Sequence, residues 1–513
     1  MASVVNSFSL AGIDAYTVKI ETDTIYGKPS INIVGLGDTT VKESKERLEA
    51  AIKNAKYELP KMKIVINLSP SDIKKSGSHF DLGMAIGILI RSKQITVNEI
   101  EKIGFIGELS LNADLRACSG ILPMVIAAKN SGINNIVVAK ENMEEASLVK
   151  DVNIFAFETL QEVIEFIERV NPYKPVISGK ANQKIKRTNL LDFEDVKGQE
   201  GIIEFILVAA AGGHNMLMTG TPGCGKSMIA KRIPTILPGM NEQEALEVTK
   251  IYSVSGLLKS KGNLITERPF RAPHHNASMN SIIGGGNNAM PGEISLAHNG
   301  VLFLDEIAEF NKQALDSLRQ PLEDGNVTIS RVKYTNTYPS NFMLIAAMNP
   351  CPCGYRGTSR CRCTDYEVLR YREKISGPIL DRIDIQKYVQ PVNFIDISNS
   401  KSSSTSKELR EKVENARKIQ QKRFEKIENI NRNAQMTTSH IKEFCSLDKE
   451  SIEFLKKAFD RFNFSARSYH KFLKLSRTFA DMDNSKDIKK THVAKALMCR
   501  DLDKEQSKMI AMI

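Results

Sequence analysis

Residues 220–227 read Gly220-Thr221-Pro222-Gly223-Cys224-Gly225-Lys226-Ser227 and match the pattern G-x-x-x-x-G-K-S/T, with the strand-like run Met216–Met218 before them. Glycines at these places let backbone N–H groups wrap around phosphate oxygens, because no Cβ blocks their close approach. Lys226 adds a positive charge near the β- and γ-phosphates, and the hydroxyl of Ser227 is placed to ligate Mg²⁺. The alternative is a glycine-rich turn that fits by chance, and the flanking strand and helix patterns argue against it. The stretch therefore predicts a P-loop that binds ATP with magnesium.

An apolar run that ends in two carboxylates supplies a second part of the nucleotide site. Val301–Leu304 has the composition of a buried parallel strand and is followed by Asp305 and Glu306. We expect Asp305 to hold the Mg²⁺ shell and Glu306 to polarise the attacking water as a general base. Asn349 follows another buried-type strand and is placed to orient that water, although an Asn before Pro350 also suits a turn. The three strand ends together predict ATP hydrolysis.

The organisation of the chain predicts an α/β protein of several domains. Its 513 residues are many for one domain. Strand-like and helix-like pieces alternate over residues 1–170, and a linker rich in Pro, Gly and Lys is predicted over 171–190. The nucleotide-binding domain is placed at 191–395, and helical spacing dominates a C-terminal domain over 396–513.

The charge balance is basic, with 71 Lys and Arg against 60 Asp and Glu and a formal net charge of +11. Such an excess suits nucleic acid as a partner, although many proteins are basic without one. No apolar run approaches the length that spans a bilayer, and the N-terminus lacks the pattern of a secretory signal. Eight cysteines in a chain of this length do not indicate a secreted disulfide framework. These features predict a cytoplasmic protein without a membrane partner.

Four of the cysteines crowd into a short stretch directly after Asn349, namely Cys351, Cys353, Cys361 and Cys363. Four thiolates satisfy a tetrahedral Zn²⁺, which would have a structural role and pin this loop. The C-x-C spacing is tighter than the usual C-x-x-C, so free thiols or a redox pair are the alternatives to zinc. His274 and His275 are possible extra ligands, but a polar contact within their loop is the preferred interpretation.

The motifs resemble those of the magnesium-chelatase-like AAA+ ATPases, and most closely the ComM/YifB branch. The resemblance spans essentially the whole chain, and its segments are the P-loop, Leu302–Glu306, Asn349, Arg268–His275, Cys351–Tyr355 and Ser376–Asp384. It implies a ring, usually a hexamer, with ATP between neighbouring subunits. Arg382 resembles the arginine finger that reaches the neighbour's γ-phosphate. Arg467 resembles the second sensor arginine, which would couple a C-terminal helical lid to the nucleotide. Taken alone, either arginine suits a surface salt bridge.

The N-terminal part resembles the Lon-protease fold, of the ribosomal-S5-domain-2 type. The resemblance is carried by Lys75–Leu82, Leu115–Leu122 and Ile136–Asn142. Active members use a Ser–Lys dyad. Alignment of the glycines puts His79 at the serine position and Leu122 at the lysine position. The predicted fold is therefore a proteolytically inactive Lon-like domain, an AAA+ P-loop domain and a helical lid.

Two segments are candidates for contact with DNA. Gly256–Asn299 is rich in Gly, Asn and His, and Gly325–Tyr334 is predicted to form a hairpin with outward-facing Arg331 and Lys333. In the resembled family, insertions at these places face the pore of the ring, where Lys and Arg would contact phosphates. An edge hairpin with ordinary solubilising charges is nearly as good an account.

Three functions follow from these features. The leading hypothesis is a hexameric ATPase that moves single-stranded or branched DNA and promotes branch migration in recombination or natural transformation. The second is the motor subunit of a chelatase-like complex that acts on a protein partner. The third is an ATP-dependent protease, which the missing Ser–Lys dyad disfavours.

Overall fold

The fold is taken from a computed structural model, which describes residues 2–97, 99–170, 173–176, 191–258, 262–286, 289–331, 334–391, 404–428, 430–462 and 464–502. The predicted linker at 171–190 lies outside the described residues apart from 173–176, and so does the predicted boundary at 395/396.

A seven-stranded mixed sheet forms the N-terminal part. Its strands are β1 Ser3–Ala11, β2 Asp14–Ile25, β3 Ser30–Val34, β4 Lys63–Ser69, β5 Ile103–Ile106, β8 Asn135–Ala139 and β9 Asn153–Phe157, and the short hairpin beside it is β6 Glu108–Leu109 with β7 Leu115–Arg116. The order across the sheet is β3-β4-β2-β1-β5-β8-β9. The pairs β1–β2 and β2–β4 are antiparallel, whereas β5, β8 and β9 run parallel to β1.

Helices cover both faces of this sheet, which gives two apolar layers. The helices are α1 Thr39–Asn54, α2 Asp81–Arg91, α3 Ile121–Asn130, α4 Met143–Ala146 and α5 Leu160–Ile167. Helices α1, α2 and α5 share one core with side chains such as Val5 and Ile20, and α3 and α4 share the other with Phe8 and Ile136. Every residue of α2 except Arg91 and Ile90 is buried, which agrees with its almost continuous apolar sequence.

A five-stranded parallel sheet forms the centre of the nucleotide-binding part. Its strands are β10 Met216–Thr219, β11 Phe270–Arg271, β14 Val301–Leu304, β17 Met343–Met348 and β18 Ile385–Tyr388, in the order β11-β14-β17-β10-β18. Two hairpins lie outside it, namely β12 Gly284–Gly285 with β13 Met290–Pro291 and β15 Asn326–Arg331 with β16 Tyr334–Pro339. The second hairpin lies where the sequence predicted one, but it is longer than the predicted Gly325–Tyr334, because its second strand continues to Pro339.

Successive side chains of these strands enter different cores, which explains why the strands show no polar alternation. Met216 and Met218 face a core shared with the C-terminal helices, whereas Leu217 between them faces the opposite core. The helices of this part are α6 Glu200–Gly212, α7 Lys226–Ile236, α8 Glu242–Val254, α9 Met279–Ile283, α10 Glu293–Leu296, α11 Lys312–Asp316, α12 Arg319–Asp324, α13 Asp365–Arg372 and α14 Gly377–Leu380.

The chain from residue 404 onward is helical where it is described. Its helices are Ser406–Phe424, Thr438–Phe444, Lys449–Phe462, Ala466–Met482 and Lys490–Leu497. They pack on α6, where the Gln420 side chain donates to the Ala211 carbonyl at 3.1 Å. Just after α6, the buried His214 ring forms a hydrogen bond of 2.9 Å with the Thr478 hydroxyl. Within the described residues, no helix combines the length and apolar character that crossing a bilayer requires.

The Lon-like part docks on α8 through a buried carboxylate. The Glu145 side chain accepts from the Ser253 hydroxyl at 2.5 Å and from the Leu122 backbone at 3.0 Å. Next to it, the Gly120 N–H donates to the Ser253 carbonyl at 3.0 Å. Because Glu145 is 5% exposed, loss of the Ser253 hydroxyl would remove one hydrogen bond from a buried carboxylate.

Candidate functional site

The P-loop lies between β10 and α7, as its sequence pattern requires. Gly223 and Gly225 adopt φ angles of +81° and +90°, a conformation that other residues adopt only with strain. A Cβ on Gly220 would come within 2.7 Å of the Val389 carbonyl oxygen. Lys226, which is 8% exposed, donates to the Gly220 carbonyl at 2.7 Å. The loop and its lysine thus form a phosphate cradle at the start of a helix.

The magnesium ligands predicted from the sequence meet at the end of the neighbouring strands. Ser227 Oγ donates to Asp305 Oδ2 at 2.7 Å. Two oxygens that ligate one octahedral Mg²⁺ at about 2.1 Å lie about 3 Å apart, so this pair fits one ion. A magnesium ion held by Ser227 and Asp305 would neutralise phosphate charge at this place.

Glu306 stands in a strained backbone conformation beside this pair. Its φ angle is +50°, which costs a non-glycine residue about 1–3 kcal/mol. The Glu306 N–H donates to Asp305 Oδ1 at 3.0 Å, and the Glu306 side chain is 53% exposed. The half-exposed carboxylate is accessible to a water molecule.

Asn349 reaches the P-loop from the end of β17. Its Oδ1 lies 3.5 Å from Lys226 Nζ, at the outer limit of a hydrogen bond. Strands β14 and β17 are neighbours, and β17 pairs with β10. The three predicted strand ends, which carry the P-loop, Asp305 with Glu306, and Asn349, therefore lie side by side at one edge of the sheet.

His275 is a further residue near Glu306, although its sequence context favours only a polar contact within its own loop. Its Nδ1 lies 3.8 Å from Glu306 Oε2, and its ring packs on that of His274 at 4.1 Å between centroids. Both histidines follow β11, which pairs with β14, and β14 leads into Glu306. The pairing of β11 with β14 brings the histidines close to Glu306, and this pairing cannot be recognised from the sequence.

Arg382 and Arg467 lie together on one surface. The Arg382 guanidinium donates to the Pro378 carbonyl at 2.9 Å and pairs with Glu323. Arg467, which is 74% exposed, pairs at 2.8 Å with Asp381, the residue directly before Arg382. The structure therefore joins the second sensor candidate to the arginine-finger candidate.

The four cysteines converge as their spacing suggested. Their sulfur atoms all lie within 4.8 Å of one another, and Cys351 lies 3.3 Å from Cys353 and 3.9 Å from Cys361. A tetrahedral Zn²⁺ with bonds of about 2.3 Å needs sulfur separations of about 3.8 Å, so the cluster fits one ion. Among the described residues, the group of metal-ligand side chains at this place contains the cysteines and no histidine.

The cysteine loop packs directly on the P-loop. Gly354, within the loop, has a φ angle of +84°, and a Cβ there would lie 2.9 Å from Pro222 Cγ. The same Cβ would lie 4.0 Å from the Asn349 side chain. A metal that fixes this loop would thereby fix the outer wall of the nucleotide site.

The two segments considered for DNA contact touch each other. Arg331 lies exposed at the end of β15 and donates to Asn280 Oδ1 at 2.8 Å. Lys333 lies outside the described residues. The core of the hairpin, with Val327 and Ile329, packs against Ile13 of the Lon-like part.

The two positions that correspond to the Ser–Lys dyad of Lon proteases carry side chains that cannot form this dyad. His79 is 6% exposed, and burial lowers its pKa to about 4. Leu122 is fully buried. The hydroxyl of Ser78, which directly precedes His79, donates to the Glu108 carboxylate and not to a lysine. Lys75 is buried as well, and its Nζ has no hydrogen-bond partner in the described structure.

A parallel sheet with a P-loop, an aligned Ser–Asp pair and a carboxylate at adjacent strand ends defines a P-loop ATPase. Sequence profiles of the magnesium chelatase subunit ChlI match residues 20–142 and 192–397, and a profile of the ChlI C-terminal region matches 403–500.

Known proteins similar to this chain agree with these profiles. Competence protein ComM of Haemophilus influenzae is 40% identical over 500 residues, which cover 96% of each chain. YifB of Escherichia coli is 38% identical over 503 residues, or 98% of this chain and 97% of its own. Lon protease 2 of Bacillus subtilis is 25% identical over 187 residues, a third of each chain. The chain therefore belongs to the ComM/YifB branch of the magnesium-chelatase-like AAA+ ATPases.

Proposed function

We propose that the protein is a motor in the cytoplasm that assembles as a hexameric ring and hydrolyses ATP to move single-stranded or branched DNA, and so promotes branch migration. The observation that carries this proposal is the assembled edge of the sheet, where Lys226, Asp305, Glu306 and Asn349 converge. Within it, residues 1–170 form an inactive Lon-like domain, 191–395 the AAA+ domain and 396–513 the helical domain.

Each residue of the site has one role in hydrolysis. The backbone of the P-loop and Lys226 bind the phosphates, and Ser227 with Asp305 would hold the magnesium ion. Glu306 accepts a proton from the attacking water, which Asn349 orients toward the γ-phosphate. Because these groups stand on adjacent strands of a rigid sheet, their geometry is set before the nucleotide binds.

Arg382 and Arg467 complete the site of a neighbouring subunit. Their common surface is built by α14 and by the start of the helix Ala466–Met482. A guanidinium that reaches the neighbour's γ-phosphate stabilises the charge of the transition state. Hydrolysis in one subunit is then sensed by the helical domain of the next through the Arg467–Asp381 pair.

DNA is proposed as the substrate on three grounds. The chain carries a net charge of +11, and Arg331 is exposed on a hairpin that touches the glycine-rich segment. The relative from Haemophilus influenzae is named a competence protein, which fits the handling of DNA in natural transformation. Basic side chains on such loops contact the phosphate backbone without reading its sequence.

Forked DNA is expected to stimulate ATP hydrolysis by the full chain at least several-fold, with binding that weakens as salt increases. The measurement compares wild type with Lys226→Ala and Arg331→Gln, and uses Arg461→Gln, an exposed arginine of the helix Lys449–Phe462, as the control for charge. Lys226→Ala should abolish branch migration of a four-way junction. Wild-type protein that neither binds DNA nor responds to it would refute the proposed substrate.

Two other functions have specific support and separate tests. The matching profiles are those of a magnesium chelatase subunit, which supports a motor that acts on a protein partner. Such a motor would hydrolyse ATP at a rate that does not respond to DNA. The Lon relative raises the question of proteolysis. The absence of casein cleavage is expected, because His79 and Leu122 occupy the dyad positions.

Zinc is the proposed occupant of the cysteine cluster. We expect about one zinc per chain by elemental analysis, and Cys361→Ser should lose most of it and lower the thermal midpoint by several degrees. Cys118→Ser, which changes a free cysteine of the Lon-like part, should keep the metal. Equal zinc contents of the two variants, or no zinc in wild type, would contradict the assignment.

A further inference from the structure

A small cavity lies at the edge of the parallel sheet opposite the nucleotide. Its volume is about 120 Å³, and its wall includes Gly213, Gly300 and Met343, which precede or begin β10, β14 and β17. The P-loop, Asp305 and Asn349 follow the other ends of the same three strands. The cavity therefore belongs to a place that the hydrolytic machinery does not use.

Three arginines line this cavity with one carboxylate. Arg268 comes from the nucleotide-binding part, whereas Arg417 and Arg432 come from the helical part, and the carboxylate is Glu244. Arg268 pairs with Glu244 at 3.1 Å and donates to the Asn299 carbonyl at 2.6 Å. One carboxylate for three guanidinium groups leaves two positive charges without an opposite charge among the lining residues.

The two arginines of the helical part approach each other over Gly213. A Cβ on this glycine would lie 3.5 Å from both Arg417 Nη2 and Arg432 Nη1, so these nitrogens are no more than 7 Å apart. The same Cβ would lie only 2.6 Å from Arg432 Cδ, a clash that is absent because residue 213 is glycine. Its φ angle of +72° also favours glycine. The two arginines can approach each other here because Gly213 has no side chain.

The hydrogen bonds of these arginines do not satisfy every donor. Arg417 Nη2 donates to the Ala210 carbonyl at 2.9 Å, but its buried Nε has no partner in the described structure. Arg432 Nε donates to Asn431 Oδ1 at 3.1 Å. Burial and the charges of Arg432 and Arg268 lower the pKa of Arg417, and burial with Arg268 lowers that of Arg432 to about 10. An anion would remove this repulsion.

We propose that the cavity binds one free phosphate-sized oxyanion between the guanidinium groups of Arg417 and Arg432, beside the Arg268–Glu244 pair. Planar guanidinium groups match the oxygens of phosphate and bind it with charge-assisted hydrogen bonds. The volume is well above the roughly 10–15 Å³ that one water needs and below the roughly 300–1,000 Å³ of sites for larger ligands. The anion would relieve the repulsion between the two arginines that lie over Gly213, directly before the strand that leads into the P-loop.

The test separates this cavity from the P-loop, which also binds phosphate. Inorganic phosphate is titrated into nucleotide-free Lys226→Ala protein by calorimetry at constant ionic strength. We expect one phosphate per chain, at least tenfold weaker binding after the further change Arg417→Met, and unchanged binding after Lys422→Met, which alters an exposed residue of the same helix. Arg432→Met should repeat the loss.

Two controls make the outcome decisive. Without phosphate, Arg417→Met should melt no lower than its parent, because it removes one of three mutually repelling charges. A 5′-phosphorylated dinucleotide should bind at least tenfold more weakly than phosphate, and tighter binding would overturn the assignment to a free anion. The proposal is also overturned if Lys226→Ala protein binds no phosphate, or if both arginine variants bind it as the parent does. None of these results depends on the response to DNA.

Discussion

We expect replacement of Glu306 by glutamine to lower the turnover number for ATP hydrolysis by at least about 100-fold, while ATP binding should stay within about threefold of wild type. Glutamine keeps the size of the side chain and its backbone conformation, but its amide cannot accept the proton of the attacking water. The strained φ angle of +50° and the 53% exposure of the carboxylate point to this role. Steady-state hydrolysis and binding of a fluorescent ATP analogue measure the two quantities.

A matched control is available three residues further on. Glu309 is 44% exposed and pairs with Lys374 at 3.2 Å. Glu309→Gln removes the same charge without touching the nucleotide site, so hydrolysis should stay within about twofold of wild type. A Glu306→Gln protein that retains half of the wild-type turnover would show that another group activates the water.

The second large effect concerns the two arginines on the shared surface. Arg382→Ala should lower the turnover number by about 10³-fold or more, the usual effect of losing an arginine finger. Arg467→Ala should reduce it less, because its guanidinium is held beside that finger by Asp381. Both variants should still bind ATP, since the P-loop of the same chain is intact.

Mixed rings reveal on which side of the subunit boundary each arginine acts. Lys226→Ala lacks the phosphate-binding lysine but keeps both arginines, so its mixture with Arg382→Ala contains some complete interfaces. In a random equal mixture roughly a quarter of the interfaces are complete, and the hydrolysis rate should recover toward that fraction. The mixture of Lys226→Ala with Arg467→Ala should recover in the same way.

The mixture of Arg382→Ala with Arg467→Ala is the decisive one. If both arginines serve the neighbour's nucleotide, every interface lacks one of them, and hydrolysis stays low. If Arg467 instead served the nucleotide of its own chain, some interfaces would be complete and activity would return. Recovery in this mixture would therefore refute the placement of Arg467, and failure of the Lys226→Ala mixtures would refute the shared site as a whole.

Much of the site could be predicted because its parts are contiguous in the chain. Phosphate is bound by the backbone of successive residues, so the P-loop is visible as one pattern from Gly220 to Ser227. The strand before Asp305 is visible because burial on both faces of a parallel sheet leaves an unbroken apolar run. A hairpin was predicted at Gly325–Tyr334, and the structure has one there whose second strand extends to Pro339.

Contacts between distant segments could not be predicted in this way. His275 approaches Glu306 because β11 pairs with β14, and the short β11 leaves no clear pattern in the sequence. The Arg467–Asp381 pair joins residues that are 86 positions apart. The packing of Gly354 on Pro222 likewise depends on how the cysteine loop folds back.

The sequence by itself determined that this protein binds ATP at a P-loop, because that chemistry needs particular residue types at fixed spacing. It also determined the AAA+ and Lon-like resemblance and the presence of four clustered cysteines. Only the tertiary structure decided which side chains share a surface or a cavity. Arg268, Arg417 and Arg432 are ordinary arginines in the sequence, and they form a positive cavity only because the helical part packs at the root of β10. Spacing along a chain encodes local geometry, whereas long-range packing sets the electrostatic field in which a distant arginine lies.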